Sequence, residues 1–97
     1  MRNLDGRVAV VTGAGSGIGR CTAIELAGRG CRLALVDLRP EGLEVTQQTV
    51  EARGGKASVH LADVADAERM SELPDEVVAR HGACHILVNN AGVLSAG

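Results

Sequence analysis

Apolar and polar positions fall into alternating blocks along this chain. Arg7 to Thr12 contains an unbroken apolar run, Val8-Ala9-Val10-Val11. Without polar alternation, it predicts a strand covered on both faces. Ile18 to about Arg29 has helical spacing, with Ile18, Cys21, Ile24 and Ala27 as its apolar stripe. Gly28 and Gly30 stop it. Arg32 to Val36 (RLALV) is a second strand, ending at Asp37. Pro40 suits the first turn of a second helix, which runs to about Arg53 with Leu43, Thr46, Gln47 and Val50 on one side. Gly54-Gly55 ends it. Lys56 to Leu61 (KASVHL) is a third strand with more alternation. Asp66 is the expected N-cap of a third helix reaching about His81. Pro74 removes a backbone bond inside that helix and is expected to kink it. His85 to Val88 (HILV) forms a fourth strand, followed by Asn89-Asn90-Ala91-Gly92.

The order β-α-β-α-β-α-β predicts an α/β fold, a doubly wound parallel sheet with right-handed crossovers. In such sheets ligands bind beyond the carboxyl ends of the strands. Each unusual feature lies at such an end: four alternating glycines after strand one, Asp37 after strand two, Asp63 after three, and Asn89 to Gly92 after four. The expected strand order leaves strand four at an open edge, with Ile86, Leu87 and Val88 poorly covered. On its own, such a segment is expected to be marginally stable or to self-associate.

Composition narrows the function classes. Ninety-seven residues make one small domain or part of a larger one. The chain is 45% hydrophobic but has no aromatic residue, so the core is built from aliphatic side chains and Ala. Without aromatics, and with a net charge of −2, nothing suits a nucleic acid. No apolar stretch approaches the roughly 18 residues that span a bilayer, and no signal-peptide core opens the chain. A cytoplasmic location without membrane partners is expected. The three cysteines, Cys21, Cys31 and Cys84, have unrelated spacings and predict no disulfide framework. Cys84 lies near His81 and His85, but no matching ligand pair occurs elsewhere, and no metal site is expected.

The strand ends carry the candidate chemistry. Thr12-Gly13-Ala14-Gly15-Ser16-Gly17-Ile18-Gly19 follows T-G-x-x-x-G-x-G rather than G-x-G-x-x-G. Glycines let backbone N–H groups approach a ligand closely. The helix that follows offers free N–H groups and a dipole that favour a phosphate. Asp37, eighteen residues after Gly19, can accept hydrogen bonds from both ribose hydroxyls of an adenosine and would repel a 2′-phosphate. Arg39 is the opposing consideration, because an arginine there can pair with that phosphate. Asp63-Val64 suits an adenine amino group and ring, and serves equally as a turn leading to a helix. The Asn89-Asn90 amides can tie neighbouring strand ends together, and Ala91-Gly92 are small enough to admit a flat cofactor; a plain Asn/Gly turn has the same composition.

Together, TGAGSGIG at 12–19, Asp37, DV at 63–64 and NNAG at 89–92 resemble the short-chain dehydrogenase/reductase family over nearly the whole chain. The resemblance implies a Rossmann fold binding a nicotinamide dinucleotide. Gly13, Ser16, Gly17, Ile18 and Gly19 would surround the pyrophosphate, Asp37 the adenosine ribose, and Asp63 and Val64 the adenine. Asn90, Ala91 and Gly92 would line the nicotinamide ribose. Family members preferring NADP usually carry a basic residue in the glycine turn or directly after the Asp37 position. Ser16 and Leu38 stand there, so NAD is expected before NADP. His85 departs from the aspartate common before strand four.

The resemblance further implies an enzyme that moves a hydride between NAD(H) and an alcohol or ketone, and a homo-oligomer when intact. The family's catalytic serine, its Tyr-x-x-x-Lys pair and its catalytic asparagine lie further along than residue 97, and the sequence has no tyrosine. No catalytic residue is therefore expected here. Residues 1–97 are expected to be a partial NAD(P)-binding Rossmann domain, inactive as a separate molecule, with the catalytic second half absent. A non-catalytic dinucleotide-binding fragment or truncated gene product is the alternative. An S-adenosylmethionine methyltransferase shares the glycine turn and acidic strand end, but not NNAG or the glycine spacing.

Overall fold

The computed structural model describes residues 4–90. It contains β1 (Val8–Thr12), α1 (Gly17–Gly28), β2 (Arg32–Asp37), α2 (Pro40–Ala52), β3 (Lys56–Leu61), α3 (Ala67–His81) and β4 (Ile86–Asn89). The four strands form one parallel sheet in the order β3-β2-β1-β4. The α/β doubly wound reading of the sequence therefore holds, as does the placing of β4 at an edge.

Strand alternation sorts the core onto two faces. Ala9, Val11, Leu33 and Leu35 point to one side and pack with Ala23 of α1 and with Leu43 and Val50 of α2. Val8, Val10, Ala34 and Val36 point to the other and pack with Leu73 and Val77 of α3. All five residues of β1 are buried, as its uninterrupted apolar run predicts. On β4, which has β1 on one side only, Leu87 is 65% exposed.

One local expectation changes. The apolar stripe of α1 is not the one its spacing suggests: Gly19 and Ala23 are its buried residues, Ile18 is 76% exposed and Cys21 is also exposed. Ile24 and Ala27 do pack against the core, as partly buried neighbours. The glycine-alanine side lets α1 sit closer to β1 than an isoleucine would, which turns Ile18 outward. Pro74 sits on the exposed side of α3, and the helix continues through it as one element from Ala67 to His81. Leu73 and Val77, on its buried side, hold the two halves to the sheet. Asp66 caps α3 as expected, its carboxylate accepting from the Arg69 N–H at 3.1 Å.

A polar network sits between β3 and α3. Arg69 donates to both carboxylate oxygens of Glu76, and His60 Nδ1 contacts Oε2 of the same carboxylate. Chiefly the Arg69 hydrogen bonds, and then His60, hold the Glu76 carboxyl down at about 2. It is therefore ionised and acts only as an acceptor, so His60 Nδ1 carries the proton. In neutral His60, Nε2 then accepts from Ser58 Oγ at 2.6 Å, and Ser58 Oγ accepts from His81 Nε2 at 2.8 Å. The buried polar atoms of Ser58 and His60 are thereby satisfied. Ser58, His60 and Glu76 share the connectivity of a hydrolytic triad, but Ser58 is 1% exposed and closed to any substrate.

His81 is the acid-sensitive member. Burial, and then the charges of His60, Arg80 and Arg32, lower its pKa. Lys56 and Glu51 line the same cleft and do not cancel this. The unfolded chain therefore binds the proton more readily, and stability rises with pH across the histidine range. The expected result is a melting temperature that falls by a few degrees from about pH 7.5 to about pH 5.5, with His81→Gln flattening the profile. Thermal unfolding followed by far-ultraviolet circular dichroism checks it.

Candidate functional site

The site is built on the turn between β1 and α1. Gly13 and Gly17 have φ values of 65° and 55°, a left-handed region that side chains with a Cβ rarely adopt. Gly19 meets a different demand. A Cβ there would lie 2.0 Å from the Gly13 carbonyl oxygen, so only glycine allows α1 to start this close to the strand end. Ser16 precedes the helix in extended conformation, and its hydroxyl makes no capping bond. The first turn of α1 has no acidic residue. Its leading N–H groups have no partner within the helix, and Ser16, Gly17 and Ile18 are exposed. By contrast α3 is capped by Asp66 and carries Glu68 in its first turn. Of the two helices, α1 has the N-terminus left open to an anion.

The rear of this turn is braced. Ala14 N–H donates to the Val36 carbonyl at 3.1 Å. Gly15 N–H donates to Asp37 Oδ2 at 2.9 Å, and the other oxygen of Asp37 accepts from Leu38 N–H at 2.7 Å. Asp37 is therefore fixed beside the glycine turn, on the rim of a cleft of about 390 Å³ that also takes in Ser16, Leu38 and Arg39. From the α2 side, Thr46 Oγ1 donates to the Ala14 carbonyl at 2.7 Å and accepts from Arg20 Nε at 2.9 Å. Arg20 Nη2 also donates to the carbonyls of Gly15 and Gly42. Gly42 comes so close that a Cβ on it would lie 2.2 Å from the Gly15 oxygen. Arg20, Thr46 and Gly42 are the site residues that the sequence reading missed. A glycine in the first turn of a helix and a threonine on that helix's apolar side were the available signals.

The other strand ends are placed as follows. Asp63 is exposed, and its Oδ1 accepts from Ala65 N–H at 2.9 Å. Its carbonyl accepts from Asp66 N–H, so Asp63 shapes the approach to α3. Val64 is half-buried. Ala62 N–H donates to the Asp37 carbonyl at 3.0 Å, which ties the end of β3 to that of β2. Across the sheet, Thr12 Oγ1 donates to Asn89 Oδ1 at 2.9 Å, tying β1 to β4. Asn90 Nδ2 is buried with no hydrogen-bond partner among the described residues. A buried amide nitrogen in that state is costly unless an acceptor reaches it. Ala91 and Gly92 lie outside the described residues.

The three cysteines are free. His81 faces Ser58, while His85 Nδ1 accepts from Val8 N–H at 3.0 Å, so the histidines near Cys84 have separate partners. Among the described residues no group of three His, Cys, Asp or Glu side chains can hold a metal ion, and no helix is long and apolar enough to cross a membrane.

A parallel sheet with helices on both faces, and a glycine cradle at an open helix N-terminus beside an acidic end of the next strand, define a Rossmann-type α/β protein. The family model for short chain dehydrogenases matches residues 7–97. The chain belongs to the short-chain dehydrogenase family. It is 46% identical over 90 residues to D-threitol dehydrogenase of Mycolicibacterium smegmatis, covering 93% of this chain and 35% of that one. It superimposes on NAD+-bound xylitol dehydrogenase with a TM-score of 0.89 at 38% identity, covering 94% of this chain and 35% of the other. A metagenomic short-chain oxidoreductase in complex with NADP gives a TM-score of 0.88 at 40% identity, covering 95% of this chain and 42% of that one. The chain spans about a third of the length of the curated relatives it matches, or less.

Gly19→Ala is expected to destabilise the chain by about 1–3 kcal/mol, because the backbone it meets cannot yield as a side chain does. Gly28→Ala, where nothing lies within 4 Å of the added Cβ, is expected to be neutral or mildly stabilising. Chemical denaturation of the two variants beside the parent checks both.

Proposed function

We propose that this chain is the dinucleotide-binding half of an NAD-dependent oxidoreductase that moves a hydride between the nicotinamide and an alcohol or ketone. One observation carries the reading: the open N-terminus of α1 and the fixed Asp37 carboxylate share one cleft at the carboxyl edge of the sheet. That cleft flanks β1, where the strand order reverses between β2 and β4. The relatives are named dehydrogenases or oxidoreductases, and four of the similar solved structures hold NAD or NADP.

In this reading Gly13, Ser16, Gly17, Ile18 and Gly19 hold the pyrophosphate, and Asp37 the adenosine ribose. Asp63 and Val64 bound the adenine. Asn90, with Ala91 and Gly92, lines the nicotinamide side. The orphaned Nδ2 of Asn90 fits a site that expects an acceptor from a ligand. Bound there, the nicotinamide supplies the hydride donor or acceptor. NAD is preferred to NADP because Asp37 stands at the ribose position, with neither Ser16 nor Leu38 offering a cation to a 2′-phosphate. Arg39 is exposed on the same rim, so the preference rests on Asp37. Residues 1–97 then form a partial domain, and the proton-transfer groups and substrate contacts belong to the rest of a longer protein.

Titration with NADH, followed by its own fluorescence, tests the assignment. Saturable NADH binding that S-adenosylmethionine does not displace is the expected result; binding of S-adenosylmethionine alone would overturn it. Asp37→Ala is expected to weaken NADH about tenfold and to bring NADPH to equal or better affinity, a change of about 1.4 kcal/mol on the NADH side.

A further inference from the structure

We propose that Arg20 is a positioning residue for the dinucleotide, aiming one backbone N–H of the glycine turn at the pyrophosphate without touching it. This rests on the dinucleotide reading above. Arg20 follows the last glycine of the turn and lies on α1, half-buried, with its fork directed backwards under the loop. Nε bonds Thr46 Oγ1, and Nη2 bonds the carbonyls of Gly15 and Gly42. No acidic side chain pairs with it among the described residues, so its donors are committed to loop and helix oxygens.

The consequence follows from peptide planarity. In a trans peptide the C=O and the next N–H point in opposite directions. The unit joining Ala14 to Gly15 shows the principle: its carbonyl is held by Thr46 on one side, and its N–H reaches Asp37 on the other. The next unit, Gly15 to Ser16, has its carbonyl held by Arg20. Its N–H, that of Ser16, must therefore point away from α2. It has no partner among the described residues, and Ser16 is exposed at the open end of α1. Arg20 thus fixes the plane that presents this donor. The guanidinium also sets a positive charge behind the turn, where it adds to the field of the helix terminus. The small side chains around it leave no other group to do this: Gly15 and Gly42 are in backbone contact, and a Cβ on either would meet neighbouring atoms below 3.0 Å.

The fork matters as well as the charge. A lysine has one ammonium and cannot reach Thr46 and both carbonyls with the same geometry. The test uses the full-length protein and compares parent, Arg20→Lys, Arg20→Met and, as a control for general loosening, Val77→Ala on the far face of the sheet. NADH affinity, melting temperature and competition by adenosine, which lacks the pyrophosphate, are measured for each. Arg20→Met is expected to raise the Kd for NADH about tenfold and Arg20→Lys about threefold, with adenosine competing as in the parent. With turnover, KM for the cofactor rises while kcat changes little. NADH binding by Arg20→Met within about twofold of the parent would overturn the proposal, as would an equal loss of affinity in Val77→Ala at a matched fall in melting temperature. Failure of the parent to bind NADH is a distinct result, and it would overturn the function proposed above.

Discussion

The close approach of α1 to the end of β1 governs the rest of this molecule. Gly19 rests on the Gly13 carbonyl with no room for a Cβ between them. That contact sets where α1 starts and which of its faces meets the sheet. It also leaves the first N–H groups of the helix directly above the central strand. A helix held even one methyl group further out would carry its N-terminus away from the Asp37 carboxylate, which is pinned to the same turn through Gly15. One steric contact therefore sets the packing on one face of the sheet and the geometry of the cleft.

Much of this was legible in the sequence because the signals were local. Apolar runs and glycine stops located all seven elements, and the convergence of odd residues at strand ends located the site. What the sequence did not show has a physical origin. The stripe of Ile18, Cys21, Ile24 and Ala27 was read by hydrophobicity, but the close approach of α1 favours its smallest residues. Gly19 and Ala23 therefore took the inner position and Ile18 turned out to solvent. Pro74 lies inside α3 as the sequence indicated, on the solvent side of a helix anchored by Leu73 and Val77. The brace of Arg20, Thr46 and Gly42 was not legible because each partner lies at least 22 residues from the atom it meets across the α1–α2 interface. Asp63 kept the ambiguity it had in the sequence: its carboxylate is engaged in a turn and still exposed at the edge of the site.

The two faces of the sheet are maintained by different means. The α1–α2 face has an aliphatic core of Leu33, Leu35, Leu43 and Val50, with the Arg20–Thr46 brace at its site end. The α3 face has a smaller aliphatic patch and, beside it, the chain from His81 through Ser58 and His60 to Glu76 and Arg69. A buried polar network of this kind is stable only when every member has its partner. Here the ionised Glu76 dictates the tautomer of His60, and His60 in turn dictates the direction of the Ser58 hydroxyl. The acid sensitivity belongs to this face, remote from the glycine turn.

The edge position of β4 also bears on the order in which the sheet assembles. β1, β2 and β3 pair with neighbours joined by a single helix, as Val8 with Arg32 and Arg32 with Lys56. β4 returns from the far end of the chain to pair Ala9 with Ile86. Closing that long loop carries the largest entropic cost of any strand pairing here. Nucleation is thus favoured around β1, α1 and β2, where the phosphate cradle lies. By the same argument the strand that ends at Asn89 is expected to dock last. The two ends of the candidate site thereby differ in the loop each must close: one is built from neighbouring segments, the other from a strand some seventy-seven residues away.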